Sequence, residues 1–204
     1  MLPDHEPSDE PRLTRRSLAK ADRRRQLLTA AARLIAERGY TGVRLEDLGS
    51  AVGISGPAVY RHFPNKEAVL VELLVGISAR LFEGGTDVVA AATAPTAAMA
   101  GLIEFHLDFA LGESDLIRIQ DRDLGSLPDT ARRQVRRYQR RYVELWVQVL
   151  RDADPPLSET EARTKAHAIF GLINSTPHSM GRTSPTVTRD VLRRMTIAAL
   201  APGV

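Results

Sequence analysis

The fold is decided by residues 52–67, which read VGISGPAVYRHFPNKE. Residues 43–52 have the apolar spacing of a short helix, and a second short helix is predicted to run through about His62. Ala51 is small where the two helices must approach, and Gly53 can take a positive φ in the connection. Pro57 suits a first helical turn, where its missing N–H leaves no bond unmade. Two short helices joined by a tight glycine-containing turn have the spacing of a helix-turn-helix. The alternative is a plain helical hairpin that packs a tyrosine.

Helices are predicted on both sides of this stretch. A basic helix over 23–38 precedes it, and a long helix from Lys66 is expected to end at Gly84-Gly85. Residues 1–21 combine prolines with charges of both signs, which is typical of a tail without stable structure. No segment alternates as a half-buried strand would, and the remaining helices are predicted at 96–111, 115–121, 128–152, 158–175 and 185–201. The sequence therefore predicts an all-α protein with an N-terminal three-helix helix-turn-helix domain and a helical C-terminal part.

Composition and charge narrow the function. The 204 residues include no cysteine, which excludes disulfides and thiolate metal sites, and no apolar run has the length of a membrane span. The first residues lack the basic and apolar parts of a signal peptide, so a cytoplasmic protein with no membrane partner is expected. Residues 12–66 carry twelve Lys/Arg and four Asp/Glu. This positive balance favours a polyanion as the partner of the N-terminal part, the alternative being a solvated basic surface.

The motif is specific enough to carry a family resemblance. Gly39-Tyr40, Leu45-Glu46-Asp47-Leu48 and the whole of 52–67 resemble the DNA-binding domain of the TetR/AcrR family of bacterial transcriptional regulators. The resemblance implies a DNA-binding domain over 22–67, a ligand-binding and dimerisation domain over 68–204, and a homodimer on double-stranded operator DNA. It favours a ligand-released repressor that binds a palindromic operator. A nucleic-acid-binding helical protein that needs no ligand is the alternative.

The resemblance also implies a set of DNA contacts, carried over by position: Arg44, Ser55, Gly56, Pro57, Ala58, Tyr60, Arg61, His62 and Lys66. Arg61 can contact guanine or a phosphate, whereas His62 has the alternative of bridging helices and Tyr60 that of lying half in the core. Arg44 departs from the family pattern, which has Ser or Thr at this position. Since an arginine side chain cannot accept a capping hydrogen bond, Arg44 is predicted to contact phosphate while Thr41 or water satisfies the helix end.

Aromatic and polar residues of the C-terminal part form the predicted ligand pocket: Phe105, His106, Phe109, Tyr138, Tyr142, Trp146, Phe170 and Asn174. Core packing is the alternative for each of them. The expected effector is a small hydrophobic molecule. Residues 167–178 also faintly resemble a TetR subgroup linked to acyl-coenzyme A metabolism, so an acyl-coenzyme A is a further expected class of effector. Six arginines between Arg132 and Arg141 either hold an anionic head group or form a solvated face paired with Asp121 and Asp123.

The dimer interface is predicted on the last two long helices, at Ile169, Leu172, Ile173, Val191, Leu192 and Met195. These residues would form half of a two-fold four-helix bundle and place two recognition helices about one DNA turn apart. No catalytic residue, cofactor or metal site is predicted, because the histidines and carboxylates show no triad order, metal-ligand spacing or phosphate loop. A regulator is therefore expected, and an enzyme is not.

Overall fold

The computed structural model describes residues 15–179 and 184–201. Its helices are α1 (Arg15–Arg38), α2 (Leu45–Ala51), α3 (Gly56–Val59), α4 (Lys66–Ala91), α5 (Pro95–Gly112), α6 (Ser114–Asp123), α7 (Asp129–Ala153), α8 (Glu159–Ile173), α9 (Thr176–Ser179) and α10 (Pro185–Leu200). The described residues contain no strand, which confirms the all-α prediction. None of the helices in this part of the chain combines the length and the apolar character needed to cross a membrane.

The first hydrophobic core joins α1, α2, α3 and the first half of α4. Its fully buried side chains include Leu27, Ile35, Leu48, Val59, Phe63, Leu70 and Leu74. Ile119 of α6 and Val135 of α7 belong to the same core. The N-terminal helices are therefore packed directly against the C-terminal part and do not hang from a free linker.

The second core lies between α5, the second half of α7, α8 and α10. Leu102, Leu107, Trp146, Ile169 and Ile173 are buried in it. The long helix α4 runs past both cores, with Val69 to Ile77 packed in the first and Phe82 to Val89 along the second. Because α4 packs in both cores, a movement of α4 would change its contacts with the helix-turn-helix and with the C-terminal helices together.

Helix α1 begins at Arg15, eight residues before the predicted start. The prediction of a tail without stable structure is therefore wrong for residues 15–21. The reason is local, because the arginines, alanines, leucine and lysine of this segment are strong helix formers. They extend the packed helix backwards without needing a core of their own.

Helix α4 does not end at Gly84-Gly85, and the predicted stop is wrong. A Cβ atom on Gly84 would lie 2.5 Å from Cζ of Phe105, and one on Gly85 would lie 2.6 Å from Cε2 of Tyr142. The two glycines therefore give room to aromatic rings that press against the helix, and α4 continues to Ala91. Glycine in a helix is a weak stop signal when a neighbouring ring fills the space of its missing side chain.

Two glycine turns and one cap match the sequence. Gly39, with φ +81°, ends α1, and Gly53, with φ +72°, forms the turn between α2 and α3. Both values lie in the left-handed region that glycine adopts without a steric penalty. Oδ1 of Asn65 accepts a hydrogen bond of 2.8 Å from N of Ala68 and so caps α4, as predicted.

Candidate nucleic-acid interface and ligand pocket

Helices α2 and α3 form the helix-turn-helix around a close backbone approach at Gly49. A Cβ atom on Gly49 would lie 2.8 Å from Cγ2 of Val59 and 2.8 Å from O of Ile54. Ala51, which sequence reasoning assigned to this approach, is exposed at the end of α2, so that assignment is wrong. Val59 is fully buried and is the side chain that anchors α3 to the core.

The rest of α3 faces outward. Among the predicted DNA contacts, Ser55, Pro57 and Arg61 are exposed, and Gly56 and Ala58 are half-buried. Short side chains at the start of the helix let its backbone come close to a nucleic acid, and Arg61 at its end supplies a cation. This geometry is compatible with the predicted recognition helix.

Tyr60 lies on the surface and is not part of the core. Its side chain is 50% exposed, and its hydroxyl donates a hydrogen bond of 3.0 Å to Oε1 of Glu46. This hydrogen bond to a carboxylate raises the pKa of Tyr60. Glu46 also lies against Gly56, where an added Cβ would be 3.2 Å from its Cγ. The carboxylate of Glu46 thus positions the tyrosine beside the start of α3.

The beginning of α2 is satisfied by its own third residue. Oδ2 of Asp47 accepts a hydrogen bond of 2.8 Å from the backbone N of Arg44, which is the half of a capping box that does not need a Ser or Thr. The Asp47 carboxylate thus satisfies the N–H of the N-cap residue, and a cap by Thr41 or a water for the first N–H groups of the helix stays a prediction. The side chain of Arg44 makes no capping bond and is exposed, so it is free to contact a phosphate.

Lys66 connects the start of α4 to the segment after α1, and His62 is half-buried within the motif. Nζ of Lys66 donates a hydrogen bond of 2.7 Å to O of Tyr40 and lies 4.3 Å from the centre of its ring. Burial of His62, together with the nearby charges of Lys20, Arg24, Arg23 and Arg61, lowers its pKa. The lowered pKa favours the neutral imidazole of His62, and the hydrogen bond holds the ammonium group of Lys66 beside Tyr40.

Arg23 and Arg24 connect α1 to the helix-turn-helix, a role that the sequence did not indicate. Nε of Arg24 donates a hydrogen bond of 2.9 Å to Glu72, a second nitrogen pairs with the other carboxylate oxygen, and its guanidinium lies 4.2 Å from the Phe63 ring. Nη1 of Arg23 donates to O of Val52 at 3.2 Å. These arginines are structural clamps as well as sources of positive charge.

The predicted ligand pocket corresponds to a cavity of about 280 Å³ between α4, α5, α6, α7 and α8. Five of the predicted residues line it: His106, Phe109, Tyr142, Phe170 and Asn174. Sequence reasoning missed Ser78, Leu81, Ile117, Gln120, Gln139, Val143 and His167. Gln139 and Val143 share a helix face with the predicted Tyr142 and Trp146, so three- and four-residue spacing was a signal for them.

Phe105, Tyr138 and Trp146 do not line the cavity. Phe105 packs against Gly84, and Tyr138 lies 6.3 Å from the Phe82 ring. Trp146 is fully buried behind the cavity, 5.2 Å from the ring of Phe170. The prediction that these three residues line the pocket is not met by this cavity, because their side chains pack between helices.

A buried hydrogen-bond chain runs along the cavity wall. Nδ1 of His106 lies 3.3 Å from the Tyr142 hydroxyl, and its Nε2 lies 3.1 Å from Oδ1 of Asn174. The arrangement fits a neutral imidazole that carries its proton on Nε2 and accepts from the tyrosine. Burial lowers the pKa of His106 from 6.5 to about 4, opposed in part by the bond to Asn174. His106 is therefore uncharged near neutral pH.

The arginines of α7 are mostly exposed, and Asp123 has an arginine of α6 as its ion-pair partner. Asp123 is paired with Arg122 at 3.0 Å, and Arg132 is paired with Asp129. The guanidinium of Arg141 lies 4.0 Å from the centre of the Phe82 ring. Arg133, Arg136 and Arg140 are the exposed remainder, and together with Arg137 and Arg141 they are called the arginine face below.

The predicted interface residues divide into two groups. Ile169, Ile173 and Leu192 are buried in the second core of their own protomer, so their assignment to a dimer interface is wrong. Their apolar stripes turn inward because α8 and α10 have to cover α5 and α7. Val191 and Met195 are 38% and 49% exposed, and Leu172 is partly buried. Val187 and Ile197 extend the exposed apolar surface of α10.

The end of α6 contacts the end of α1. Nη1 of Arg122 donates a hydrogen bond of 3.3 Å to O of Ala36, Nη2 donates to O of Ile35, and Nε donates to Asp123 at 3.1 Å. The backbone N of Tyr40 lies 3.4 Å from Oδ1 of the same aspartate. Arg122 and Asp123 thus join a helix that lines the cavity to the carbonyl end of α1.

The described residues contain no cluster of three or more His, Asp or Glu side chains arranged to hold a metal ion. The candidate site has two separate parts. One is the outward face of α3 on the surface, and the other is the cavity of about 280 Å³ in the interior, called the cavity behind α6 below. They are connected through α4 and through the Arg122–Asp123 pair.

Comparison with known proteins identifies both halves of the chain. The model for bacterial regulatory proteins of the tetR family matches residues 27–73, and that for a tetracycline repressor-like C-terminal domain matches residues 92–200. The HTH-type transcriptional repressor KstR2 of Mycobacterium tuberculosis is 33% identical over 133 residues, which cover 63% of this chain and 64% of that protein. The match thus spans less than two thirds of this relative's length.

Solved structures share the whole architecture. A TetR-family transcriptional regulator from Bordetella parapertussis superposes with a TM-score of 0.76 at 24% identity, over 88% of this chain and 94% of that one. AibR, solved in complex with isovaleryl coenzyme A and operator DNA, superposes with a TM-score of 0.69 at 21% identity, over 85% and 97%. At these identities the likeness establishes a common fold.

The matches are to regulators and not to enzymes, which confirms that part of the sequence prediction. The C-terminal model alone covers more than half of the chain, and the N-terminal model covers the helix-turn-helix built around Gly49 and Gly53. The chain belongs to the TetR family of bacterial regulatory proteins.

Proposed function

We propose that this protein is a transcriptional repressor that binds a palindromic DNA operator as a homodimer and is released by a small-molecule ligand. The observation that carries the proposal is the outward face of α3. It is anchored by the buried Val59 and combines small residues at its start with the exposed Arg61 at its end. The name of KstR2 as a transcriptional repressor supports the same assignment.

The dimer is proposed through α10 and the adjoining end of α8. Val187, Val191, Met195 and Ile197 are large apolar side chains between 38% and 51% exposed on one helix. An apolar surface of this kind is typical of a protein interface, and a two-fold pairing would let each copy present one α3 to DNA. A palindromic operator is the expected consequence of that symmetry.

The cavity behind α6 is proposed to bind the effector. Bound isovaleryl coenzyme A in AibR supports an acyl-coenzyme A as one candidate class. In this chain Arg136 and Arg140 each precede a cavity residue, Gln139 or Val143, by three positions on α7. Residues three positions apart are neighbours on a helix surface, and a guanidinium group is suited to the phosphates of such a ligand.

The test of DNA binding is a fluorescence anisotropy titration with the duplex upstream of the protein's own gene and a scrambled duplex, at several salt concentrations. We expect salt-dependent binding with a preference of at least ~10³ for the native duplex. The variant Arg61→Gln should weaken specific binding by about tenfold or more. The matched control is Arg151→Gln, an exposed arginine near the end of α7, which should bind as the parent does.

Two outcomes would contradict the proposal. Equal binding of the native duplex, of duplexes selected from the genome and of the scrambled duplex would show that no sequence is read. Loss of that uniform binding on neutralising the arginine face would instead favour the ligand-independent nucleic-acid-binding protein. A monomer at micromolar concentration by sedimentation would refute the homodimer.

A further inference from the structure

The cavity behind α6 has an unusual lining for a site that faces a strongly charged helix. Arg and Lys make up 28 and Asp and Glu 25 of the 204 residues, yet none of these four types lines the cavity. Arg136 and Arg140 of α7 are exposed and do not line it. The lining therefore holds no permanently charged side chain, and its two imidazoles are the buried His106 and the exposed His167.

The polar groups of the cavity are carboxamides and neutral donors. Gln120, Gln139 and Asn174 line it from three different helices or helix ends. Oδ1 of Asn174 is engaged with Nε2 of His106 at 3.1 Å, which leaves the amide nitrogen of Asn174 to donate elsewhere. The buried imidazole of His106 cannot supply a positive charge near neutral pH, because burial lowers its pKa to about 4.

The physical consequence concerns the charge of the ligand. A carboxylate or an ammonium group moved from water into this interior would lose its hydration and find no opposite charge. An uncharged carbonyl, amide or hydroxyl would find both donors and acceptors on the carboxamides. The rings of Phe109 and Phe170 and the side chains of Leu81 and Ile117 supply an apolar surface for the remainder of the molecule.

We propose that the ligand group bound in this cavity is uncharged, with one hydrogen-bonding carbonyl, amide or hydroxyl beside an apolar chain, and that ionised groups are excluded from it. The proposal rests on the proposed function, since it takes the cavity to be the effector site. A volume of about 280 Å³ suits a small molecule or one end of a larger one whose charged part stays outside.

Trp146 provides a direct measurement of occupancy. It is the single tryptophan of the chain. Its ring centre lies 6.1 Å from that of His106, 6.3 Å from that of Tyr142 and 5.2 Å from that of Phe170. A molecule that enters the cavity contacts these three residues, so it should change the fluorescence of Trp146 without any added label.

The experiment titrates the full-length protein with three probes of equal chain length at about pH 7.5: octanamide, octanoate and octylammonium. We expect octanamide to saturate the change in Trp146 fluorescence at a concentration at least about tenfold lower than either ion. Octanoate or octylammonium binding as tightly as octanamide would overturn the proposal. Failure of all three probes to bind up to the solubility of octanamide would overturn it as well.

Two variants and a control locate the preference. Gln139→Leu and Asn174→Leu each remove a carboxamide at similar volume and should weaken octanamide binding about fivefold or more. The control is Gln148→Leu on the exposed side of α7, where Nε2 of Gln148 donates a hydrogen bond of 2.8 Å to Oδ1 of Asp152. This variant should leave octanamide binding unchanged. Equal octanamide affinity in Gln139→Leu and in the parent would refute the assignment even if Asn174→Leu fails to fold.

Anisotropy of the operator duplex in the same samples separates this proposal from the proposed function. Absence of specific DNA binding without any probe refutes the repressor and leaves the order of the probes to decide the ligand class. Specific DNA binding with the ions preferred over the amide keeps the repressor and refutes the uncharged ligand.

Discussion

The neutral, buried His106 predicts an acid-sensitive fold. In the unfolded chain a histidine titrates near its ordinary pKa of 6.5, whereas in the folded protein burial lowers the pKa of His106 to about 4. Between these values the unfolded chain binds a proton that the folded one does not. The contribution of His106 to stability is therefore fully present above about pH 6.5 and is lost as the pH falls toward about 4.

The size of the effect follows from the two pKa values. At about pH 5 the unfolded histidine is almost wholly protonated and the folded one almost wholly neutral, which costs about 2 kcal/mol of unfolding free energy relative to about pH 7.5. Carboxylates and other histidines also titrate in this range. The quantity to measure is therefore the difference between the parent and a variant without a titratable group at position 106.

His106→Gln is the suitable variant, because a glutamine amide can still donate toward Oδ1 of Asn174 but cannot gain a proton. Urea unfolding of both proteins at equal concentration, followed by Trp146 fluorescence, gives the two free energies at each pH. We expect the parent to lose about 2 kcal/mol more than His106→Gln between about pH 7.5 and pH 5. Parallel pH dependences of the two proteins would refute the reasoning, since His106 would then titrate alike in both states.

Three further predictions follow from contacts elsewhere in the chain. Gly85→Ala should lower the free energy of unfolding by about 1–3 kcal/mol, because its Cβ would meet the Tyr142 ring at 2.6 Å. Gly76→Ala is the control in the same helix, where an added Cβ has open space, and it should raise the free energy of unfolding by about 0.5–1 kcal/mol. Equal effects of Gly85→Ala and Gly76→Ala in urea unfolding would contradict the argument that the Tyr142 ring crowds position 85. Arg122→Gln should lower the free energy of unfolding by about 1 kcal/mol, because the nearly buried Asp123 loses its ion pair; this value allows for the partial exposure of the guanidinium. An unchanged urea midpoint would refute this role of Arg122. Replacing Arg133, Arg136 and Arg140 by Gln should leave the salt dependence of operator binding unchanged, and a slope reduced by about one or more would assign these residues to DNA.

The helix-turn-helix was readable from the sequence because its signals are local. Gly53 marks the turn, Asn65 caps α4, and each acts within a few residues of its own position. The packing at the turn was assigned to the wrong small residue. Gly49 and Ala51 are both small residues, so the sequence does not show which of them packs at the turn. Only their positions relative to α3 in the structure distinguish them.

The cavity behind α6 could be predicted in outline. Aromatic residues at helical spacing indicated that α5, α7 and α8 meet around His106, and five of the eight predicted residues line the cavity. Which rings face a cavity and which fill a core depends on how the helices rotate against one another. Trp146 shares a face of α7 with Tyr142 but lies one turn farther into the core, so only the packing separates their roles.

The interface assignment was wrong for three residues, because an apolar stripe was taken for an outer surface. Ile169, Ile173 and Leu192 are apolar because they cover α5 and α7, whereas the exposed apolar surface of α10 includes Val187 and Ile197. A sequence gives the period of a stripe but not the element that covers it.

The sequence by itself determined the family, the all-α architecture and the position of the helix-turn-helix, because the signals for these are motifs, local propensity, caps and turns. The tertiary structure decided three other features: the close approaches at Gly49, Gly84 and Gly85, the uncharged cavity, and the link from Arg122 to the end of α1. Each joins residues that lie on different helices or in the turns between them. Such contacts depend on the relative rotation and position of whole helices, which no local pattern specifies.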